Sequence, residues 1–211
     1  CIAMEGGSKT LAEEIKEIHA GGQYANDSVL YRRENALRLM RSAIEVVAEI
    51  QRAGLLWSDC KPANLLMFGA QQVPLFGIDL DSAVRFGEPV LGGTPDFLPP
   101  EYYRAGAGAA AGAGAGGLAA RSTLDTWALG ITFLSLAVNQ PARWMERHDE
   151  DPRASQNAFV ALLCRTRALT ESPWAEWLGE VGQVSSQLRS LIERTLEPDP
   201  AKRMAVQDLL R

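Results

Sequence analysis

Apolar residues recur at three- and four-residue steps over 34–53, where Leu37, Met40, Ile44, Val47 and Ile50 share one face and Arg and Glu fill the other. That period predicts an amphipathic helix, and Gly54 closes it. A shorter pattern, "SKTLAEEIKEIH" over 8–19, puts Leu11, Ile15 and Ile18 on one face with Ser8 as the expected cap. Residues 124–138, "LDTWALGITFLSLAV", are apolar nearly all round and predict a central, buried helix. Two short apolar runs, 65–68 and 73–78, flank "GAQQ" and predict a β-hairpin. Residues 20–30 and 79–101 carry Gly, Asn and Pro breakers and read as irregular. Further helices are expected over 156–168, 184–197 and 204–211, with "EPDP" turning at 197–200. The expected fold class is mainly α, a helical bundle with a small β-hairpin.

Residues 105–120, "AGAGAAAGAGAGGLAA", have no side chains able to bury much area, so a surface insertion is expected. Gly112, Gly114 and Gly117 spell G-x-G-x-x-G inside this repeat. With no strand before them, they carry no phosphate-binding meaning. Apolar residues make up 46% and charged residues 22%, a globular composition, and the net charge is −5. No basic excess points to nucleic acid, and no apolar run reaches the roughly 20 residues a bilayer requires. Cys1, Cys60 and Cys164 are odd in number and far apart, which argues against a disulfide framework or a paired-cysteine zinc site. His19 and His148 stand alone and read as ordinary surface or lightly buried residues.

The chemistry concentrates at 55–66, "LLWSDCKPANLL", where Asp59, Lys61 and Asn64 fall within six positions between apolar flanks. Asp79 follows at the end of the second apolar run. Singly, each has an ordinary reading: a turn former, a solvated charge, a loop cap. Together they supply what phosphoryl transfer requires. Carboxylate and amide oxygens suit magnesium, a cation suits the migrating phosphoryl group, and a second carboxylate orients the incoming hydroxyl.

"DCKPANLL" resembles the catalytic loop of eukaryotic-type serine/threonine protein kinases, D-x-K-x-x-N with two apolar residues after it. "IDLDSA" at 78–83 sits where that family has D-F-G, and "GTPDFLPPE" at 93–101 resembles the end of its activation segment. "DTWALG" at 125–130, "DPAKR" at 199–203 and "IAMEGGSKTL" at 2–11 are similar to the family's anchoring helix, late arginine motif and hinge. The resemblance covers 1–211 apart from 105–120. It implies a kinase domain's hinge and large, C-terminal lobe, with the small lobe and its Gly-rich loop, strand lysine and partner glutamate not represented.

The resemblance also assigns roles. Asp59 would orient and deprotonate the substrate hydroxyl, Lys61 would steady the γ-phosphate, and Thr94 would bridge the two beneath the substrate residue. Asn64 and Asp79 would hold magnesium. Glu5, Gly7 and the backbone nearby would meet the adenine of ATP, with Leu66 beneath its ring. Glu101 with Arg203, and Asp125 at the head of its helix, would be structural. The implied partners are ATP and a protein substrate or a regulated partner kinase, with no nucleic acid and no membrane span.

Several positions depart from the family. Trp57 and Ser58 replace the usual His-Arg, Leu80 replaces the Phe of D-F-G, and Asp81 replaces its Gly. Trp57 is expected to pack against Leu80 at conserved total volume. The arginine ordinarily reads a phosphate on the activation segment. Between Asp79 and Glu101 the hydroxyl residues are Ser82 and Thr94, near the two ends. Reader and mark are missing together, so activity independent of phosphorylation in this segment is expected. Asp81 either joins the metal shell or stiffens the turn. "GTPDFLPPE", "DTWALG" and the histidine-free loop also resemble divergent rhoptry-type kinases and pseudokinases of apicomplexan parasites, which implies secretion into a host cell; otherwise a cytoplasmic location is the default. The leading expectation is an ATP-dependent serine/threonine kinase. The alternative is a pseudokinase acting as an interaction scaffold, and Thr94 with the P-P-E segment argues against a small-molecule phosphotransferase.

Overall fold

The computed structural model describes residues 9–19, 29–68, 74–106, 118–138, 160–166, 168, 170 and 174–211. Strand β1 (Lys9–Thr10) runs directly into helix α1 (Leu11–His19). Thr10 N–H donates to Glu13 Oε2 at 2.7 Å, and Glu13 N–H donates to Thr10 Oγ1 at 3.3 Å. This reciprocal pair satisfies two N–H groups the helix itself leaves open. The helix therefore starts after Thr10, because Lys9 and Thr10 are paired as strand; Ser8 lies outside the described residues.

Helix α2 (Val29–Arg52) begins earlier than the expected residue 34 and ends at Gly54, whose φ of 81° suits glycine. Its buried stripe is Leu39, Met40, Ala43, Ile44, Val47 and Ala48. Strand β2 (Leu55–Leu56) follows, then the loop that carries Asp59 and Lys61 and a 3-10 turn at Pro62–Asn64. Strands β3 (Leu65–Met67) and β4 (Leu75–Gly77) form the expected hairpin, with Leu66 opposite Phe76. Strand β1 adds to it antiparallel, pairing Thr10 with Leu66, so the sheet has three strands in the order β1-β3-β4. Ser42 Oγ on α2 accepts from Leu75 N–H at 2.8 Å and fixes the hairpin to the core.

The segment expected to be irregular contains strand β5 (Val84–Arg85), paired antiparallel with β2. It also contains a 3-10 turn at Pro95–Phe97. Helix α3 (Pro100–Gly106) leads to the Gly/Ala repeat. Residues 107–117 lie outside the described residues, but 118–120 do not behave as a free insertion. Ala119 bridges to Pro89, and Ala120 is buried with Leu56, Val90 and Leu124.

Helix α4 (Ser122–Ala137) is the expected central helix, buried from Leu124 through Leu136. It packs on α2 and on the helix at Ser186–Thr195. A Cβ at Gly130 would fall 2.6 Å from Thr195 Oγ1 and 2.7 Å from Leu196 Cδ2, so this approach tolerates no side chain. Residues 160–165 are helical; 156–159 of the expected helix lie outside the described residues. The helix expected at 184–197 is α6 (Ser186–Thr195), and a helix that was not expected, α5 (Ala175–Val184), precedes it. Ser185 divides them by capping α6, accepting from Leu188 N–H at 3.3 Å. The chain finishes in a 3-10 turn at Val206–Leu210, not in an α-helix. Among the described residues no helix is long and apolar enough to cross a membrane.

Candidate active site

Asp125 organises the loop. It is buried in the first turn of α4. Its Oδ2 accepts from Trp57 N–H at 3.0 Å and Gln51 Nε2 at 3.1 Å, and its Oδ1 accepts from Ser58 N–H at 3.0 Å. Three donors on one carboxylate fix two consecutive loop peptides to the central helix. Gln51, which the resemblance did not assign, also donates to Ser122 O at 3.1 Å and accepts from Gln207 at 3.3 Å. Its signal in the sequence was a polar residue four positions after Val47, on the apolar side of α2.

Burial pushes the Asp125 carboxyl up to about 6, against bonds from Gln51, Trp57 and Ser58 that favour the ionised form. Between about pH 4 and pH 6 the folded chain thus keeps a proton the unfolded chain has lost, and stability declines as pH rises through this window. Replacing Asp125 by Asn should remove that component, about 6–12 °C of melting temperature. Calorimetric melting of wild type and Asp125→Asn from pH 4 to 7 checks it; parallel curves contradict it.

Beyond this anchor, Asp59, Lys61, Asn64 and Thr94 converge. Lys61 Nζ donates to Asp59 Oδ2 and to Thr94 Oγ1, both at 2.7 Å. Thr94 donates to Asp59 Oδ1 through its N–H at 2.8 Å and its hydroxyl at 2.6 Å. Asn64 Nδ2 donates to Asp59 O at 3.0 Å and Asp59 Oδ2 at 3.1 Å. Burial raises the Asp59 carboxyl, but the bonds from Lys61 and Thr94 outweigh it and hold the group below the usual carboxylate range. Asp59 is therefore ionised at neutral pH.

Both Asn64 bonds use the amide nitrogen, which leaves the amide oxygen available to a cation. Asn64 O accepts from Ile78 N–H at 3.0 Å, which sets Asp79 immediately beyond the hairpin. Asp79 has φ 58°, a left-handed conformation a non-glycine residue adopts at a cost. Its carbonyl accepts from Trp57 Nε1 at 3.1 Å, and its side chain is exposed. Among the described residues no cluster of three His, Cys, Asp or Glu side chains gathers for a metal. An Asn oxygen with one exposed carboxylate suits magnesium that draws its remaining ligands from phosphate and water.

The expected Trp57–Leu80 contact is not what holds Trp57. Its ring is fully buried and lies under Gly77, where a Cβ would meet Trp57 Cη2 at 3.2 Å and Val46 Cγ1 at 3.0 Å. Leu80 is 45% exposed. Trp57 instead joins the loop to the Asp79 bend through its indole N–H, because the hairpin glycine leaves room for the ring. Leu66 is half-buried in β3, Asp81 is exposed, and Glu5 and Gly7 lie outside the described residues. Arg203 forks onto Glu101 at 2.6 and 2.9 Å, with its guanidinium 4.9 Å from the Trp127 ring centre.

Gly93 sits where a Cβ would fall 2.6 Å from the Ser58 carbonyl oxygen. Neither backbone has room to yield. Gly93→Ala should destabilise by about 1–3 kcal/mol and displace Thr94 from Asp59; an unchanged melting temperature contradicts the close approach.

The family model described as protein kinase domain matches residues 4–211. The chain is similar to calcium-dependent protein kinase 10 of Arabidopsis thaliana, 26% identical over 93% of this chain and 32% of that protein. It is also similar to the liver/testis phosphorylase b kinase gamma catalytic chain of Homo sapiens, 25% identical over 89% of this chain and 42% of that one. The chain thus spans less than half the length of these relatives. Among solved structures, the ROP18 kinase domain in complex with AMP-PNP and sucrose matches with a TM-score of 0.66 and 22% identity, over 99% of this chain and 48% of that one. That likeness shows the same fold.

Proposed function

The chain belongs to the protein kinase domain family, and on that premise we propose that it forms the phosphoryl-transfer half of a serine/threonine kinase that uses ATP and magnesium. The observation that carries the reading is the closed cluster of Asp59, Lys61, Asn64 and Thr94. In this reading Asp59 orients the substrate Ser or Thr hydroxyl and accepts its proton as the hydroxyl oxygen bonds to the γ-phosphorus and the bond from that phosphorus to the departing ADP oxygen breaks. Lys61 keeps positive charge beside the transferring group. Thr94 holds Asp59 by two bonds and lines the floor under the acceptor residue. Asn64 Oδ1 and the Asp79 carboxylate would hold magnesium, which when bound neutralises charge developing on the phosphates.

A catalytically impaired scaffold is the second reading. The exposure of Leu80 favours it, since the bend at Asp79 lacks a buried apolar anchor there. The test is transfer of labelled γ-phosphate from ATP to Ser/Thr peptide libraries by the natural full-length protein. Phosphoserine or phosphothreonine above the background of an Asp59→Asn control supports the enzyme. No transfer, with the fold intact, supports the scaffold.

A further inference from the structure

Ser58 stands where the family places an arginine, and its surroundings give it a different task. It has φ 72°, a left-handed backbone that a non-glycine residue enters at a cost. Its N–H donates to Asp125, which holds that conformation. Its hydroxyl then donates to Gly92 O at 2.5 Å. The next residue of the facing segment, Gly93, lies directly against the Ser58 carbonyl. One residue further, Thr94 makes its two bonds to Asp59. Consecutive loop residues, 58 and 59, thus grip 92 and 94.

The rest of the segment is held upstream and by other means. Val84 and Val90 pack with Leu56, Ala120 and Leu124, β5 pairs with β2, and Pro89 bridges to Ala119. The hollow beside Ser58 is lined by Leu56, Val90, Leu98, Tyr102 and Leu124, with Asp125 on the side that holds the Ser58 N–H. An ordinary turn-forming role for Ser58 does not require the hydroxyl to reach Gly92.

We propose that Ser58 is a positioning residue: its hydroxyl holds Gly92 so that Thr94 is delivered to Asp59, in place of a phosphate-dependent contact. The inference rests on the transfer reading for what the Thr94–Asp59 contact does. Its test is independent of that reading.

The test uses the natural full-length protein with uniform 15N labelling, Thr94→Ser to assign the Thr94 resonance, and the variants Ser58→Ala and Ser58→Gly. Glycine accepts the left-handed angle freely, so it separates loss of the hydroxyl from backbone strain. Exchange of the Thr94 amide should quicken about tenfold in both variants, the factor matching one hydrogen bond's net contribution. Exchange at Val47 and Ala48 in α2 should not change. Peptide phosphorylation should lose about tenfold in kcat with KM for ATP unchanged, a split a merely structural residue would not produce. Thr94 exchange unaltered in both variants, or quickened in Ser58→Ala alone, or matched by an equal rise in the α2 core, overturns the proposal. A wild type that transfers no phosphate defeats the transfer reading, while the exchange result still decides the positioning.

Discussion

Arg203→Ala should unfold the domain before it alters any chemistry. The Arg203 side chain is fully buried, and Glu101 is 12% exposed. The guanidinium makes two bonds to Glu101, one to Thr123 O at 3.0 Å and one to Glu197 O at 2.8 Å. It also lies over Trp127, which packs edge-on against Trp174 at 5.5 Å. Truncation leaves a carboxylate and two carbonyls desolvated without partners. Breaking a buried pair from one side costs about 3–5 kcal/mol. For a chain of this size that lowers the melting temperature by about 6–20 °C. Arg203→Lys restores charge but not the fork, so it should recover only part of the loss. Scanning calorimetry decides it; a melting temperature for Arg203→Ala equal to wild type removes the ion pair from the stability of the lobe.

Asp59→Asn should do the opposite: retain the fold and lose transfer. An asparagine oxygen still accepts from Thr94, so the contact between loop and segment survives in part. The amide cannot accept the hydroxyl proton. Removing a positioned base costs about 10²–10⁴ in rate. The loss should appear in kcat, with KM for ATP nearly unchanged, because the group acts on the acceptor hydroxyl and not on the nucleotide. The lowered pKa of Asp59 adds a pH expectation. A lowered folded-state value contributes stability that is complete above the unfolded value near 3.8 and lost as pH falls through the folded one. Kinetics across pH should accordingly show no acid limb from Asp59 near neutrality. A variant that keeps wild-type kcat would remove Asp59 from the chemistry.

The parts of this architecture that were legible in the sequence are those written locally. The α2 stripe, the all-round apolar α4 and the hairpin on either side of "GAQQ" each signal themselves through spacing alone. The cluster of Asp59, Lys61 and Asn64 was visible because a tight loop forces neighbours in sequence to be neighbours in space. Thr94 joined it only through the family resemblance, since nothing local links residues 59 and 94. Strands β1 and β5 are two residues long, too short for alternation to register. They exist because β3 and β2 offer open edges. The Thr10–Glu13 cap was readable as T-x-x-E, but Ser8 offered an earlier start; the Ser185 cap lies one residue inside the range expected for α6, and α5 before it was not foreseen. Trp57 was rightly placed in the core, yet its partner was misjudged. Volume arguments pointed to Leu80, whereas the room came from Gly77 and the polar contact from the Asp79 carbonyl.

Trp57 also bears on the proposed magnesium site, because it ties the bend that carries Asp79 to the loop that carries Asn64. The central claim is that these two residues share one magnesium ion escorting a nucleotide. Nucleotide binding by the natural full-length protein, measured as a thermal shift with ATP in the presence and absence of magnesium, tests it most directly. The shift should require magnesium and should vanish in Asp79→Ala with its ligand-free melting temperature unchanged. A shift of equal size without magnesium, or one that persists in Asp79→Ala, would contradict it.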